Sequence, residues 1–269
     1  MLRGDLRERR LDIKMMTFRE KTQSWKCPTG YTWNLCDDIL NQAHCVIAGT
    51  TGSGKSTLIH SLMFSALIHS PARVQFILID LKHGLELKRY RKLPHIIQFA
   101  SNEQEAISAL NTAVDLMSYR YRQLDKTDDT IYSGNDVYVI IDELADLMQT
   151  AKAKVLEPIS KLMRLGRAAR IHVIGATQNP SRSSGGGLPA VISQNTTSSV
   201  CLRVRSAIES RQVCGVKGGE LLPHIGQGLY WNPRSEAPAN VERVAIPKTT
   251  DDDLNERIEY WLRAKPVRR

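Results

Sequence analysis

An eight-residue segment, Gly49 to Ser56, has the sequence GTTGSGKS and limits the possible folds of this chain more than any other part of it. The short apolar run CVIA precedes it, and an apolar stretch follows in which a helix is predicted from about residue 56 to residue 69. The segment matches the pattern GxxxxGK[ST], whose glycines let successive backbone N–H groups turn inward toward phosphate oxygens. A strand, a glycine-rich loop and a helix in this order predict an α/β fold of the P-loop NTPase type.

The residues of this loop have distinct expected tasks. The predicted cofactor-binding set is Gly49, Thr50, Thr51, Gly52, Ser53, Gly54, Lys55, Ser56 and Thr57. The Lys55 ammonium is expected to neutralise the β- and γ-phosphates, and the Ser56 hydroxyl is expected to bind Mg²⁺. The N-terminus of the following helix adds a dipole that favours bound anions. ATP and Mg²⁺ are therefore the predicted cofactors.

A second apolar run, VYVII, ends in the paired carboxylates Asp142 and Glu143. Ligands of open α/β sheets bind at the carboxyl ends of the strands, where this pair is expected to lie. Asp142 is predicted to hold the Mg²⁺ shell, and Glu143 is predicted to orient or deprotonate the attacking water. An isolated Asp-Glu pair is usually a solvated turn, but the complete phosphate-binding loop favours the catalytic interpretation. A carboxylate dedicated to water favours hydrolysis over kinase chemistry.

Further apolar runs predict the rest of a layered domain. Strands are expected near residues 73–80, 171–176, 199–204 and 228–231, an amphipathic helix is expected near residues 107–124, and a second helix is expected near residues 152–169. Strands that alternate with helices predict a mainly parallel sheet with helices on both faces.

Composition narrows the class of protein. The 269 residues have a formal net charge of +9, and no apolar run approaches the length that spans a bilayer. The five cysteines form no CxxC pair, so neither a zinc site nor a disulfide framework is expected, and a cytoplasmic location is predicted.

Between residues 160 and 217, Glu209 is the only acidic residue among nine basic ones: Lys161, Arg164, Arg167, Arg170, Arg182, Arg203, Arg205, Arg211 and Lys217. This region is either a solvated basic face or a surface that binds the phosphates of ATP, of DNA or of both.

Several longer blocks occur in one order: HCVIAGTTGSGKS, FILIDLK, LPHII, VIIDELADLM, GRAARIHVIGATQNPS and IESR. Together they resemble the FtsK/SpoIIIE family of DNA translocases over roughly residues 40 to 245. The resemblance implies a RecA-like motor domain that assembles as a hexameric ring, binds ATP between subunits and passes double-stranded DNA through its pore. The expected organisation is an N-terminal extension at residues 1–40, the motor at residues 41–248, and a helical, basic tail at residues 249–269.

The same resemblance suggests roles for individual residues. Gln178 matches the family's polar sensor of the γ-phosphate. Arg167 is a candidate for the arginine finger that acts on a neighbouring subunit, and Arg203 and Arg211 are its rivals. The alternative for any one of them is a salt-bridged surface arginine. Asp80 and Lys82 match the family's IDPK block, with leucine where proline is usual, and are interpreted as structural.

The chain also departs from the family pattern. Arg170 replaces a glycine of the block RAAGIH, and residues 181–187 are unusually rich in glycine and serine. No segment resembles the membrane spans of the cell-division members, and the 24 residues after Ala245 are too few for their winged-helix domain. A minimal motor of a plasmid, phage or integrative element fits these features. The glycine- and serine-rich loop, with Arg182 as its one charge, is either a disordered surface loop or a DNA-binding pore loop.

Three other functions share this motif set. They are a type VII secretion ATPase that moves protein, a conjugative coupling protein that moves single-stranded DNA, and an assembly factor that binds ATP but turns it over poorly. The basic bias and the single motor disfavour secretion, and the lack of an anchor and of an all-helical insert disfavours conjugative coupling. The complete set of Lys55, Asp142 and Glu143 disfavours the assembly factor.

Overall fold

A computed structural model describes residues 25–26, 32–82, 84–181 and 188–264. Its strands are β1 (Trp25–Lys26), β2 (Thr32–Trp33), β3 (His44–Ala48), β4 (Val74–Ile79), β5 (Ile96–Ala100), β6 (Asp136–Ile141), β7 (Ile171–Thr177), β8 (Ser198–Cys201), β9 (Gln227–Trp231) and β10 (Val241–Ala245). Its α-helices are α1 (Leu35–Leu40), α2 (Lys55–Ala66), α3 (Glu103–Leu124), α4 (Leu144–Leu165), α5 (Ala190–Asn195), α6 (Ala207–Cys214) and α7 (Asp251–Arg263). Strands β1 and β2 form a separate two-stranded ribbon.

The other eight strands form one sheet in the order β10-β9-β8-β3-β7-β6-β4-β5. The six strands from β8 to β5 run parallel, while β9 and β10 are antiparallel additions at one end. The central strands β3, β6 and β7 are almost entirely buried because helices cover both faces of the sheet. This architecture confirms the predicted α/β fold with a mainly parallel, helix-covered sheet.

Two apolar clusters lie on opposite faces of the sheet. One includes the buried residues of α1, α2 and α7, and the other includes those of α3, α4 and α5. Helix α1 lies within the predicted N-terminal extension and buries Leu35, Cys36 and Ile39, so the core begins before residue 41. Helix α7 lies within the predicted tail, and its Leu254 and Ile258 join the first cluster.

Helix α4 begins at Leu144, eight residues before the start that its sequence pattern predicts. The reason is that Glu143 caps the helix with its own side chain, which accepts a hydrogen bond from the backbone N–H of Ala145 at 3.4 Å. The backbone at Ala151 leaves helical geometry, with φ −129° and ψ 20°, and Pro158 lies inside the second part of the helix. The start of α4 therefore follows the paired carboxylates without an intervening loop.

The residue directly before β7 is an arginine in an unfavourable backbone conformation. Arg170 has φ +52°, in the left-handed region that favours glycine. Buried Arg120 stabilises this turn by donating hydrogen bonds to the carbonyl oxygens of Asn135, Ala169 and Arg170, at 2.9, 2.7 and 3.1 Å. The positive φ explains why a glycine suits this position.

The Arg170 side chain forms an ion pair with Asp136, to which its Nε donates a hydrogen bond at 2.8 Å. Although burial opposes it, hydrogen bonds from His172 and Arg170 lower the pKa of Asp136 to about 2. The ion pair therefore offsets part of the backbone strain at Arg170.

None of the helices in the described parts of the chain combines the length and the apolar character that crossing a bilayer requires.

Candidate functional site

The loop that joins β3 to α2 has the backbone shape that its glycines predict. Gly52 and Gly54 have φ +75° and φ +104°, and Gly54 is the N-cap of α2. A residue with a side chain would be strained at either position. Lys55 and Ser56 are the first two residues of α2. They therefore lie at the helix N-terminus, where binding of phosphate is favoured.

Hydrogen bonds to the two strands beside β3 fix this loop. The N–H of Gly49 donates to the carbonyl oxygen of Thr177 at 3.1 Å, at the end of β7. The N–H of Thr50 donates to the carbonyl oxygen of Arg203 at 2.8 Å, just after β8, and the Thr50 hydroxyl donates to the same oxygen at 3.2 Å. The loop is thus preorganised by long-range contacts.

Two side chains of the loop point into its interior. Lys55 is 6% exposed, and its Nζ donates to the carbonyl oxygen of Gly49 at 2.8 Å. Burial lowers the pKa of Lys55, and the Glu143 carboxylate opposes that shift. The Ser53 hydroxyl is buried and has no hydrogen-bond partner among the described residues. An unpaired hydroxyl and a buried ammonium in one cradle fit the oxygens of a bound phosphate.

The paired carboxylates lie where the sequence predicts them, directly after β6, and both are almost fully buried. Asp142 Oδ2 makes no well-formed hydrogen bond among the described residues. Burial raises the pKa of Asp142 to about 6, and the charge of Lys82 opposes that shift. A buried carboxylate oxygen that lacks a well-formed hydrogen bond fits a role beside Mg²⁺.

Lys82 is the residue of this site whose role the sequence does not reveal. Its Nζ lies 3.4 Å from Asp142 Oδ2 and 3.9 Å from Glu143 Oε2. Burial alone would lower the pKa of Lys82, but the charges of Asp142 and Glu143 outweigh it and raise this pKa. The structural interpretation holds for Asp80, whose carboxylate accepts hydrogen bonds from three backbone N–H groups, but it is incomplete for Lys82.

A chain of hydrogen bonds joins the phosphate-binding loop to the catalytic candidate. The Thr51 hydroxyl donates to Gln178 Oε1 at 2.7 Å. The backbone N–H of Gln178 donates to both oxygens of Glu143, at 2.9 and 3.1 Å. Because β3, β7 and β6 are adjacent in the sheet, the ends of these strands place Thr51, Gln178 and Glu143 side by side.

The three candidates for the arginine finger and the predicted DNA contact, Arg182, lie in different parts of the chain. Arg203 follows β8 beside the loop of its own chain. Arg167 precedes β7 and is exposed at the opposite edge of the sheet, and Arg211 is exposed on α6. Arg182 lies outside the described residues. Of these arginines that the structure describes, Arg203 is hydrogen-bonded to the phosphate-binding loop, through its backbone carbonyl oxygen.

Protein metal ligands are few at this site. Within the described ranges, no three His, Cys, Asp or Glu side chains are grouped to hold an ion by themselves. Ser56 and Asp142 can supply two oxygen ligands, which suits Mg²⁺ because this ion usually shares its coordination with waters and nucleotide phosphates.

The model of the FtsK/SpoIIIE family matches this chain over residues 33–136 and 127–182, more than half of its length. The chain belongs to this family. Curated relatives of the family include the DNA translocase FtsK of Chlorobaculum tepidum, 33% identical over 258 residues, and that of Clostridium acetobutylicum, 36% identical over 244 residues. These alignments cover 87% and 84% of this chain but 31% of each relative, so the chain spans about a third of the length of the FtsK/SpoIIIE proteins it matches.

Solved structures agree on the fold. The conjugation coupling protein TcpA of pCW3, in its monomer form with ATPγS, gives a TM-score of 0.68 at 23% identity, covering 83% of this chain and 66% of that one. The cytoplasmic domain of the type VII secretion ATPase EccC of Thermomonospora curvata gives 0.67 at 22% identity, covering 84% of this chain and 30% of that one. This FtsK/SpoIIIE chain therefore has the fold of P-loop ATPases.

Proposed function

We propose that this chain hydrolyses ATP with Mg²⁺ and uses the energy to move double-stranded DNA through a hexameric ring in the cytoplasm. The observation that carries the proposal is the connection of Thr51, Gln178 and Glu143 in one hydrogen-bonded chain. It links a phosphate-binding loop to a carboxylate at the place where the attacking water must be activated.

For hydrolysis, the described residues divide the chemistry among them. Lys55 and the N–H groups of the loop would hold the β- and γ-phosphates, and Ser56 and Asp142 would hold Mg²⁺, which supplies charge neutralisation when bound. Glu143 would orient the water and accept its proton. Gln178 would sense the γ-phosphate, because its side chain bonds to the loop and its backbone N–H bonds to Glu143.

The proposed substrate is duplex DNA. The two relatives, whose alignments with this chain cover 31% of their length, are named DNA translocases. The chain itself has a net charge of +9, and nine of its basic residues fall between positions 160 and 217, where Glu209 is the only acid. Phosphate contacts from such residues give affinity for DNA without sequence selectivity.

The proposed ring would supply an arginine finger to each nucleotide from the neighbouring subunit. Arg167 and Arg211 are both exposed, and neither is held beside the phosphate-binding loop of its own subunit in the described contacts. In a ring, one of them can reach the ATP of the neighbouring subunit and stabilise charge in the transition state.

The test compares the ATPase rate of the full chain with long duplex DNA, with single-stranded DNA of the same sequence, and with no DNA. We expect duplex DNA to stimulate hydrolysis and single-stranded DNA to do so weakly. A rate that responds only to single-stranded DNA, or to neither, would contradict the proposed substrate.

A further inference from the structure

The paired carboxylates after β6 face a cation that the proposed mechanism does not use. Lys82 Nζ lies 3.4 Å from Asp142 Oδ2 and 3.9 Å from Glu143 Oε2. Both acidic side chains are 3% exposed, whereas that of Lys82 is 35% exposed. A partly exposed ammonium therefore lies within ion-pair distance of two buried carboxylates.

The turn after β4 places this ammonium. The Asp80 carboxylate accepts hydrogen bonds from the N–H groups of Lys82, Glu86 and Leu87, at 3.1, 2.9 and 2.9 Å. Strand β4 lies next to β6 in parallel, with Ile79 opposite Ile141, so the two strands end side by side. The fold thus holds the backbone of residue 82 beside the carboxylates, and the lysine side chain spans the remaining distance.

No other cation of the described residues lies within ion-pair distance of these carboxylates. Lys55 donates instead to the carbonyl oxygen of Gly49 at 2.8 Å. A buried carboxylate without a partner destabilises the folded state strongly. Lys82 therefore provides the direct counter-charge for Asp142 in the nucleotide-free protein.

We propose that Lys82 is a positioning residue that occupies the metal-binding side of Asp142 until nucleotide arrives, and then yields that carboxylate to Mg²⁺. The inference rests on the Mg²⁺ role of Asp142 in the proposed function and is independent of DNA movement. In the free protein Lys82 keeps Asp142 charged and oriented. It also disfavours binding of free Mg²⁺ there without nucleotide, because two cations held at the same carboxylate oxygen repel each other.

Once displaced, the Lys82 ammonium remains beside Glu143 on a four-carbon stem. Its attraction to Glu143 is weaker than to Asp142, since the distance is longer in the nucleotide-free protein. Nucleotide binding would thus exchange a long lysine contact for a divalent ion at the same carboxylate, while Glu143 keeps its hydrogen bonds from Gln178.

The first experiment measures thermal unfolding without nucleotide, in EDTA and in millimolar MgCl₂. The variants are Lys82→Met, Asp142→Asn, the double variant, and Lys88→Met as a control at an exposed lysine of the same segment. We expect Lys82→Met to lower the midpoint by roughly 4 °C or more, and MgCl₂ to recover part of that loss. We expect Asp142→Asn to restore the midpoint in the Lys82→Met background.

The second experiment titrates MgCl₂ into nucleotide-free protein by calorimetry. We expect Lys82→Met to bind Mg²⁺ at least about tenfold more tightly than the unmodified chain or Lys88→Met. If Lys82→Met alone does not fold, the double variant should fold, because it lacks the unpaired carboxylate.

A Lys82→Met midpoint equal to that of Lys88→Met, no rescue by Asp142→Asn, or unchanged Mg²⁺ affinity would overturn the assignment. None of these readouts uses ATP hydrolysis or DNA. Failure of the motor function and failure of the Lys82 assignment are therefore distinguishable.

Discussion

The backbone N–H of Gln178 donates to both carboxylate oxygens of Glu143, at 2.9 and 3.1 Å. The Gln178 side-chain oxygen accepts a hydrogen bond from the Thr51 hydroxyl at 2.7 Å. Any shift of Gln178 that accompanies loss of the γ-phosphate would therefore change the position of Glu143. The residues before the glycine- and serine-rich loop would move with it, since that loop follows Gln178 by three residues.

Replacing Glu143 with glutamine should separate binding from turnover. Glutamine keeps one oxygen that can accept a hydrogen bond from the Gln178 N–H. Its neutral amide, however, cannot take a proton from water. We expect ATP to bind normally and turnover to fall about 10²- to 10⁴-fold, the usual contribution of a general base. Binding of a fluorescent ATP analogue and steady-state hydrolysis measure the two effects, with Glu157→Gln, exposed on α4, as the control. Normal hydrolysis in Glu143→Gln would mean that the base lies elsewhere.

An arginine that acts on a neighbour should show complementation between subunits. Removing a finger lowers turnover on the order of 10³-fold or more. Mixing an inactive arginine variant with an inactive Lys55→Ala variant should restore activity, because some interfaces then combine an intact loop with an intact arginine. We expect rescue for Arg167→Ala or Arg211→Ala. Arg203 lies beside its own loop, so Arg203→Ala is the comparison that should not be rescued. If no mixture regains activity, subunits do not share an active site.

The strained arginine before β7 gives a stability test with a built-in control. Arg170→Gly and Arg170→Ala both remove the ion pair with Asp136, but only glycine relieves the φ of +52°. We therefore expect the glycine variant to be more stable than the alanine variant by about 1 kcal/mol. Urea denaturation of both variants measures this difference. Equal stability, or a more stable alanine variant, would show that the positive φ carries no strain.

Arg182 remains a predicted DNA contact, and residues 182–187 lie outside the described part of the chain. Its loop offers one positive charge among small polar residues, which suits contacts to phosphate without base readout. We expect Arg182→Ala to weaken duplex affinity and to reduce the salt slope of binding by about 1. Fluorescence anisotropy across a salt series measures both, with Lys152→Ala, exposed on α4, as the control. An unchanged slope would assign DNA binding to the basic surface elsewhere.

The parts of the fold that the sequence predicts well are those with a strong local signal. Four buried parallel strands are continuous apolar runs, and the glycines of residues 49–54 specify their own turn. Strands β5 and β10 were not predicted, because both lie at the ends of the sheet and their mixed exposure gives no clear pattern. The predicted start of α4 was wrong because a candidate catalytic residue, Glu143, also serves as its N-cap.

The contacts that complete the site depend on strand order. Thr51 and Gln178 are 127 residues apart in sequence and meet because β3 and β7 are neighbours. Lys82 meets Asp142 because β4 ends beside β6. Local periodicity does not encode which strands are adjacent, so residue types and approximate roles were predictable while this ion pair was not. The position of Asp80 and Lys82 directly after a buried strand was the available signal.

Displacement of a triplex-forming strand from the far end of a linear duplex tests the central claim most directly, because only a protein that travels along the duplex can remove it. We expect this chain to displace the strand with ATP, after a delay that grows with duplex length, and not with a non-hydrolysable analogue. Lys55→Ala should be inactive even with ATP, because it lacks the ammonium that holds the phosphates. Displacement by Lys55→Ala, or ATP hydrolysis by the unmodified chain without any displacement, would contradict the account of this protein as a DNA motor.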